Sequence, residues 1–257
     1  TAQEVADLQA KMEALAQQAE ASVDLDGILA LAGQADPVCC RERGIARHPE
    51  PVRIAVARDK AFCFYYEDSL QLLRDMGAEL IAFSPLEDAS LPENVDGLYL
   101  GGGYPELYTE QLSRNRRMLQ SIRDALEHRM PCIAECGGFM YLNEMVENRD
   151  MVGYLRGNCF NTGKLRRFGY VTLTAAQDNL LCRAGESIAA HEFHYWDADD
   201  PGHGFHAEKP SGTGWECVHA SESLYAGFPH FHFYANPSFA EGFYQACMKY
   251  HKTCNYT

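Results

Sequence analysis

The sequence predicts an α/β fold in which a mostly parallel sheet is flanked by helices. Short apolar runs alternate with helical patterns over residues 51–135, and two of those runs lead directly into glycine clusters. Hydrophobic residues make up 46% of the 257-residue chain, which is enough for a sizeable core. Alternation of strands and helices is typical of βαβ units, whose strands are parallel.

The first part of the chain is predicted to be helical. Residues 2–21 are rich in Ala, Glu, Gln and Leu with apolar residues at helical spacing, and a short second helix is predicted over 26–32. Residues 33–51 are polar and contain three prolines, which is typical of a linker. We therefore predict a helical lead-in and linker over residues 1–50 and an α/β domain over 51–257.

Within the α/β domain, the periodicities give a strand or a helix for most of the first 85 residues. The predicted elements are strands at 52–57, 79–83, 96–100 and 131–135, and helices at 66–76 and 106–129. After residue 153 turn residues become frequent, and we expect shorter strands with antiparallel pairing. A strand at 231–234 and a helix at 237–250 are predicted to close the domain.

The composition excludes some classes of partner. A net charge of −14 argues against nucleic acid, because binding phosphates requires Lys and Arg. No apolar stretch approaches the roughly 20 residues that span a bilayer, so we expect no membrane partner. The ten cysteines are scattered and none forms a CxxC pair, which favours a reducing compartment and a cytoplasmic location.

The segment PCIAECGGFMYL, residues 131–142, places a cysteine between a short strand and a helix. A sharp bend there would expose Cys136 as a nucleophile and direct backbone N–H groups toward a ligand. Backbone amides of Gly102 or Gly103, in the loop GGGYPELY, and of Gly137 could bind an oxyanion. The alternative is that both glycine loops are simply tight turns, with the cysteine buried as a small hydrophobic side chain.

A cysteine nucleophile needs a base, and the segment FPHFHF at 228–233 offers two histidines. On a strand, His230 and His232 would face the same side, so that one could take the thiol proton while the other orients it. The alternative is a pair of hydrogen-bonded, half-buried histidines.

Two further patterns concern metal and nucleotide binding. His191, Glu192 and His194 suggest a metal-dependent hydrolase, but their spacing is not HExxH and no third ligand lies at a known spacing, so we predict no metal site. No GxxxxGK[ST] loop occurs, so the sequence predicts no nucleotide site of that type.

Together the motifs resemble the glutamine amidotransferase domain of cobyrinate a,c-diamide synthases. The resemblance covers residues 53–250, with the motifs in the same order as in that family. The motifs are AVARDKAF and FYYED at 55–62 and 64–68, FSPL at 83–86, GGGYPELY at 101–108, AECGG at 134–138, HEFHY at 191–195 and HFHFYANP at 230–237.

The resemblance implies a class I (triad) glutamine amidotransferase-like fold with a flavodoxin-like core. It implies that Cys136 attacks the side-chain amide of glutamine, releasing ammonia through a thioester, with His230 as the base. The family's third member is a carboxylate two residues after the histidine; His232 stands there and is the candidate for that role. The amides of Gly102, Gly103 and Gly137 would form the oxyanion hole, and Glu106 would help either to hold glutamine or to close the interface.

The resemblance also implies partners. Whole synthases of this family have an N-terminal domain that uses ATP and Mg²⁺ to activate the acetate carboxylates of a corrinoid, which ammonia then attacks. We expect this chain to need no cofactor of its own and to work with such a domain or subunit, of which residues 1–50 would be a remnant or connection. Two alternatives remain: the amidotransferase of a nickel-sirohydrochlorin a,c-diamide synthase, or a catalytically silent partner module.

Overall fold

The computed structural model describes residues 5–37 and 47–254, and the chain divides into two compact units, one up to residue 44 and one from residue 45 onward. The first unit contains helix α1 (Leu8–Ser22) and helix α2 (Leu25–Ala32). The Asp24 side chain caps α2 by accepting the Gly27 N–H at 2.9 Å. Part of the predicted linker, residues 38–46 with Cys39 and Cys40, lies outside the described residues, as does the start of the first predicted helix.

The second unit is built on a six-stranded sheet. Its first elements are β1 (Arg53–Ala57), β2 (Phe62–Phe64), α3 (Glu67–Met76), β3 (Glu79–Phe83), β4 (Gly97–Leu100) and β5 (Gly102–Gly103), followed by α4 (Thr109–Arg114), α5 (Arg116–Glu127), β6 (Cys132–Glu135) and α6 (Gly137–Leu142). The predicted strands and the α3 helix agree with these elements to within one residue at each end.

The single helix predicted over 106–129 is wrong. A 3₁₀ turn, Pro105–Tyr108, precedes α4, and Asn115 separates α4 from α5. The Asn115 side chain accepts the Met118 N–H and donates to the carbonyl oxygens of Pro85 and Asp88 at 2.9 and 2.8 Å. An asparagine that caps the second helix and ties its start to a neighbouring loop ends the first one.

A second sheet follows in the chain. Its strands are β7 (Met145–Val146), β8 (Arg149–Asp150), β9 (Asn158–Ala175), β10 (Ser187–Ala198), β11 (Phe205–Glu208) and β12 (Gly214–Cys217); β13 (His219–Ala220) and β14 (Leu224–Gly227) return to the first sheet, β15 (His230–Phe231) joins the second, and α7 (Ser238–Cys254) ends the described chain. The first sheet has the order β13-β14-β6-β4-β1-β3 and is parallel except at β13; the second has the order β12-β11-β9-β10-β15 and is antiparallel along that path.

Antiparallel pairing after residue 153 agrees with the prediction. The short strands β11 to β15 agree with it too, whereas β9 with 18 residues and β10 with 12 are longer than predicted. Gly163 and Gly169 read as turn residues in the sequence. In the structure they adopt positive φ, 67° and 120°, inside β9, where the pairing with β10 is irregular. The glycines bend the strand without ending it.

Two apolar clusters cover the faces of the parallel sheet. One packs α5 and α6 against it, and the other packs it against α3, α7 and the second sheet. Cys136 projects from the first sheet and His230 belongs to the second, so the packing of the two sheets decides whether they meet. None of the helices in the described residues combines the length and the hydropathy that a bilayer crossing needs.

Candidate active site

Cys136 lies on the bend between β6 and α6. Its φ and ψ are 47° and −99°, a conformation that is costly for a residue with a side chain. The bend is held because the Cys136 N–H donates to the Gly227 carbonyl at 2.8 Å and its own carbonyl accepts the Met140 N–H at 2.9 Å. The side chain is buried with 8% of its surface exposed. A strained strand-to-helix turn of this kind is typical of a nucleophile.

The two glycine loops pack backbone against backbone beside the cysteine. Gly138 donates its N–H to the Gly101 carbonyl at 3.0 Å, and a Cβ on Gly138 would lie 2.1 Å from the Leu100 carbonyl oxygen. A Cβ on Gly137 would lie 3.1 Å from the Gly103 nitrogen. Glycine is therefore needed for the close approach. The Gly137 N–H belongs to the first turn of α6, where an N–H has no intrahelical acceptor.

His230 connects the cysteine to a carboxyl group. Its Nδ1 lies 3.2 Å from Glu135 Oε2, which leaves Nε2 for the Cys136 sulfur. Burial lowers the pKa of His230, but its hydrogen bonds with Cys136 and Glu135 raise that pKa to about 10. The imidazole is therefore charged at neutral pH and can stabilise a thiolate.

Glu135 is the residue that sequence reasoning missed. It is the last residue of β6, only 2% exposed, and its Oε1 accepts a hydrogen bond from the Tyr99 hydroxyl at 3.3 Å. A carboxyl group at the end of an apolar strand has to find a partner inside the protein. A glutamate in an apolar strand was therefore the signal that could have identified this residue. The bend at Cys136 brings the side chains of both Glu135 and Cys136 to the imidazole of His230.

His232 is placed elsewhere. Strand β15 ends at Phe231 and a 3₁₀ turn begins at Phe233, so the predicted strand 231–234 is wrong and His230 and His232 do not share a strand face. His232 Nε2 lies 2.8 Å from Asp68 Oδ2, and its half-exposed ring meets Tyr66 edge-on. The structure therefore pairs His232 with helix α3, while Glu135 occupies the carboxyl position beside His230.

Glu106 lies in the 3₁₀ turn that follows the first glycine loop. Its neighbour Pro105 is close to Gly137, since a Cβ on Gly137 would lie 2.9 Å from the proline Cδ. Burial raises the pKa of the Glu106 carboxyl to about 7. It can therefore donate or accept a hydrogen bond near neutral pH at the edge of the site.

Four other buried cysteines differ from Cys136 in their surroundings. Burial raises the pKa of each of these thiols well above its ordinary value; they are Cys132, Cys159, Cys217 and Cys247. A protonated, buried thiol is a poor nucleophile. The contact with His230 thus singles out Cys136.

The histidine and glutamate residues considered for a metal site are split by the alternation of β10. His191 faces outward against Phe168, whereas Glu192 and His194 point inward and form a buried pair with 2.8 Å between His194 Nε2 and Glu192 Oε2. Among residues 5–37 and 47–254, no group of three or more His, Cys, Asp or Glu side chains is arranged to hold a metal ion.

If the site hydrolyses glutamine as the sequence resemblance implies, a Gly102→Ala substitution is expected to lower its turnover about 10²-fold. The added Cβ would lie 2.5 Å from His230 Cε1 and 3.3 Å from Nε2, so the ring would have to move away from Cys136. The measurement is ammonia release from glutamine, with the thermal midpoint as the control for folding. Full turnover in a folded variant would contradict the close packing of this loop on the histidine.

Comparison with known proteins adds independent information. The family model of the CobB/CobQ-like glutamine amidotransferase domain matches residues 53–238. A protein named cobyrinate a,c-diamide synthase from Caldanaerobacter subterraneus subsp. tengcongensis is 36% identical over 255 residues, covering 96% of this chain and 56% of that protein. One of the same name from Clostridium acetobutylicum is 40% identical over 196 residues, covering 73% of this chain and 44% of that protein.

The chain thus spans about half the length of the curated relatives it matches. Among solved structures, PurLQS from Thermotoga maritima aligns with a TM-score of 0.54 at 17% identity, covering 77% of this chain and 98% of that one. At that identity the likeness concerns the fold alone.

Proposed function

The chain belongs to the CobB/CobQ-like glutamine amidotransferase domain family, and from this membership we propose that it is the glutaminase part of a tetrapyrrole a,c-diamide synthase. The observation that supports this most directly is His230, hydrogen-bonded to Cys136 on one side and to the buried Glu135 on the other. A thiol, an imidazole and a carboxyl group in that order are the components of a nucleophilic amide hydrolysis.

The proposed reaction begins with the Cys136 thiolate attacking the side-chain amide carbon of glutamine. His230, charged at neutral pH, donates its proton to the leaving nitrogen as the C–N bond breaks, which releases ammonia and leaves a glutamyl thioester. The neutral imidazole then takes a proton from water as that water attacks the thioester. Glutamate leaves, and the thiolate–imidazolium pair is restored.

The oxyanion of each tetrahedral intermediate needs donors that are already in place. We assign this role to the backbone N–H groups of Gly137 and of the Gly102–Gly103 segment. The packing of these loops supports the assignment, because a Cβ on Gly137 would lie only 3.1 Å from the Gly103 nitrogen. Glu106, with its pKa raised to about 7 by burial, is proposed to bind the glutamine substrate.

The amide-forming step is proposed for the portion of the full-length enzyme that this chain does not contain. The curated relatives, named cobyrinate a,c-diamide synthase, are about twice as long as the stretch matched here. ATP and Mg²⁺ would act in that portion, since this sequence has no GxxxxGK[ST] loop and the described residues offer no metal-binding group. We propose that the substrate is a cobyrinate-type corrinoid and that the enzyme works in the cytoplasm. Residues 1–50 are proposed to connect this chain to the ATP-dependent portion.

The proposal is tested by labelling with a glutamine analogue that has a diazoketone in place of the amide. We expect one equivalent of label per chain, located on Cys136, and protection by excess glutamine. Cys132, also buried but without a histidine partner, is the internal control. Label spread over several cysteines, or no protection by glutamine, would argue against a glutaminase site.

A further inference from the structure

The outer face of the β9–β10 ribbon is aromatic where a solvent-facing strand is normally polar. Burial alternates along β10, so that Glu192 and His194 face inward whereas Phe193 and Tyr195 face outward. In an antiparallel sheet with one wet face, those outer positions are expected to be polar. Here they form a contiguous patch, which we call the aromatic face, made of Phe168, Tyr170, His191, Phe193 and Tyr195.

The rings of the aromatic face touch one another while remaining open to solvent. Their centroids are 5.1 Å apart for Tyr170 and His191, and 5.5 Å apart for Phe168 and Phe193. Tyr170 is nevertheless 77% exposed, and Phe193 is 53% exposed. A contiguous exposed aromatic patch indicates an interaction surface, whereas single exposed hydrophobic residues are common on any protein.

The aromatic face is continuous with the candidate active site. His191 is the direct pairing partner of His230 on the neighbouring strand, and the exposed Phe64 ring lies 4.8 Å from the His230 ring. Within residues 47–254, the exposed large hydrophobic side chains lie on β9 and β10, at the end of β2, or in the segment 104–107 that follows β5. They are Phe64, Tyr104, Leu107, Phe160, Phe168, Tyr170, Phe193 and Tyr195.

We propose that the aromatic face is where the amide-forming portion of the full-length enzyme docks, an inference that rests on the proposed function. The matched relatives contain nearly as much chain again as the stretch matched here, which supplies an occupant of sufficient size. Ammonia that escapes into water is protonated and no longer nucleophilic, so a partner has to cover the surface beside the site where ammonia leaves. Aromatic residues and arginine are the types enriched in the centre of such interfaces.

The charges beside the aromatic face indicate which residues the partner surface should contain. The chain has a net charge of −14, yet β9 contains Lys164, Arg166 and Arg167 just before Phe168. Arg166 and Arg167 form ion pairs with Asp197 at 3.1 and 3.4 Å, so Lys164 is the cation of this run that we assign to the partner. Lys209 also reaches this edge, donating to the Phe168 carbonyl at 2.8 Å. The partner surface should therefore be apolar at its centre and have carboxylates along the margin that meets Lys164 and Lys209.

The test uses the complete enzyme, containing this chain and its amide-forming portion, with the double substitution F193E and Y195E. Glutamine-driven amide formation is expected to fall at least tenfold, while glutamine hydrolysis by the chain and amide formation driven by added ammonium stay within twofold. The matched control is S187E with T172E, two exposed positions of the same ribbon outside the aromatic face. The proposal would be overturned if glutamine-driven amide formation in the F193E/Y195E variant were as fast as in the unsubstituted enzyme.

Two further measurements separate the possible failures. Hydroxyl-radical footprinting is expected to show Phe193 and Tyr195 protected in the complete enzyme and reactive in this chain alone; equal reactivity would overturn docking at this face. Sedimentation of the chain alone is expected to show a monomer. Self-association that the double substitution abolishes would instead assign the aromatic face to a second copy and overturn the proposal. Absence of glutaminase activity in the unsubstituted enzyme would instead contradict the proposed function, and footprinting would still report on docking.

Discussion

Replacing Cys136 with alanine is expected to reduce glutamine-dependent amide formation about 10⁴-fold or more, because Cys136 is the thiol that is hydrogen-bonded to His230. Alanine keeps the Cβ and with it the unusual backbone conformation of φ 47° and ψ −99°. The bend, the glycine packing and the position of His230 should therefore survive. Amide formation driven by added ammonium is expected to continue at its normal rate, since that reaction bypasses the glutaminase.

Cys132 provides the matched control for this experiment. It lies at the start of the same strand, is fully buried, and has a pKa raised by burial, so Cys132→Ala removes a thiol from the same layer without touching the imidazole. Its glutamine-dependent rate is expected to stay within a few fold. If Cys136→Ala also abolished the ammonium-driven reaction, the cysteine would act in folding or docking rather than as the nucleophile.

The sequence was most informative where local patterns decide the structure. An apolar run, a cysteine and two glycines predicted a strand, a bend and a helix, and the structure has β6, Cys136 and α6 in that order. The parallel core could be predicted for the same reason, because its strands are short, apolar and bounded by glycine or proline.

Long-range pairing could not be predicted in the same way. Both β9 and β10 bend through irregular pairing, and the glycines in β9 suggested turns until their partners were known. The length of β15 also depends on its neighbour: β10 pairs with only His230 and Phe231, after which the chain turns. His232 therefore does not share a strand face with His230. The periodicity of FPHFHF gives no indication that the strand ends between these two histidines.

The carboxyl partner of His230 was not predicted because the family resemblance implies a carboxylate two residues after the histidine. Glu135 lies 95 residues before it, beside the nucleophile itself, and only the packing of two sheets brings it to Nδ1. A glutamate in the otherwise apolar CIAE strand was the one indication, since a buried carboxyl group without partners is costly. Buried polar residues at strand ends thus identify a site better than distance along the sequence.

A Glu135→Gln substitution is expected to lower kcat for glutamine hydrolysis about 10² to 10⁴-fold with a smaller change in KM. In the proposed mechanism Glu135 acts through His230 as a positioning residue, and its hydrogen bond and charge help to raise the pKa of His230 to about 10. An imidazolium with a raised pKa persists at neutral pH and is lost as the pH rises through the folded value. Activity should accordingly fall on the alkaline side, and in the variant this fall should begin at a lower pH because the pKa of His230 is lower.

The pH profile separates this role from a merely structural one, since a destabilised protein would lose activity without shifting the alkaline limb. Glu216→Gln is the matched control: Glu216 Oε1 lies 2.8 Å from Nδ1 of His206 on the exposed β11–β12 pair, so the same kind of contact is removed far along the sheet from His230. That variant should keep both the rate and the profile. An unshifted alkaline limb in Glu135→Gln, despite a lowered rate, would mean that Glu135 supports the fold of the site and leaves the proton of His230 to other groups.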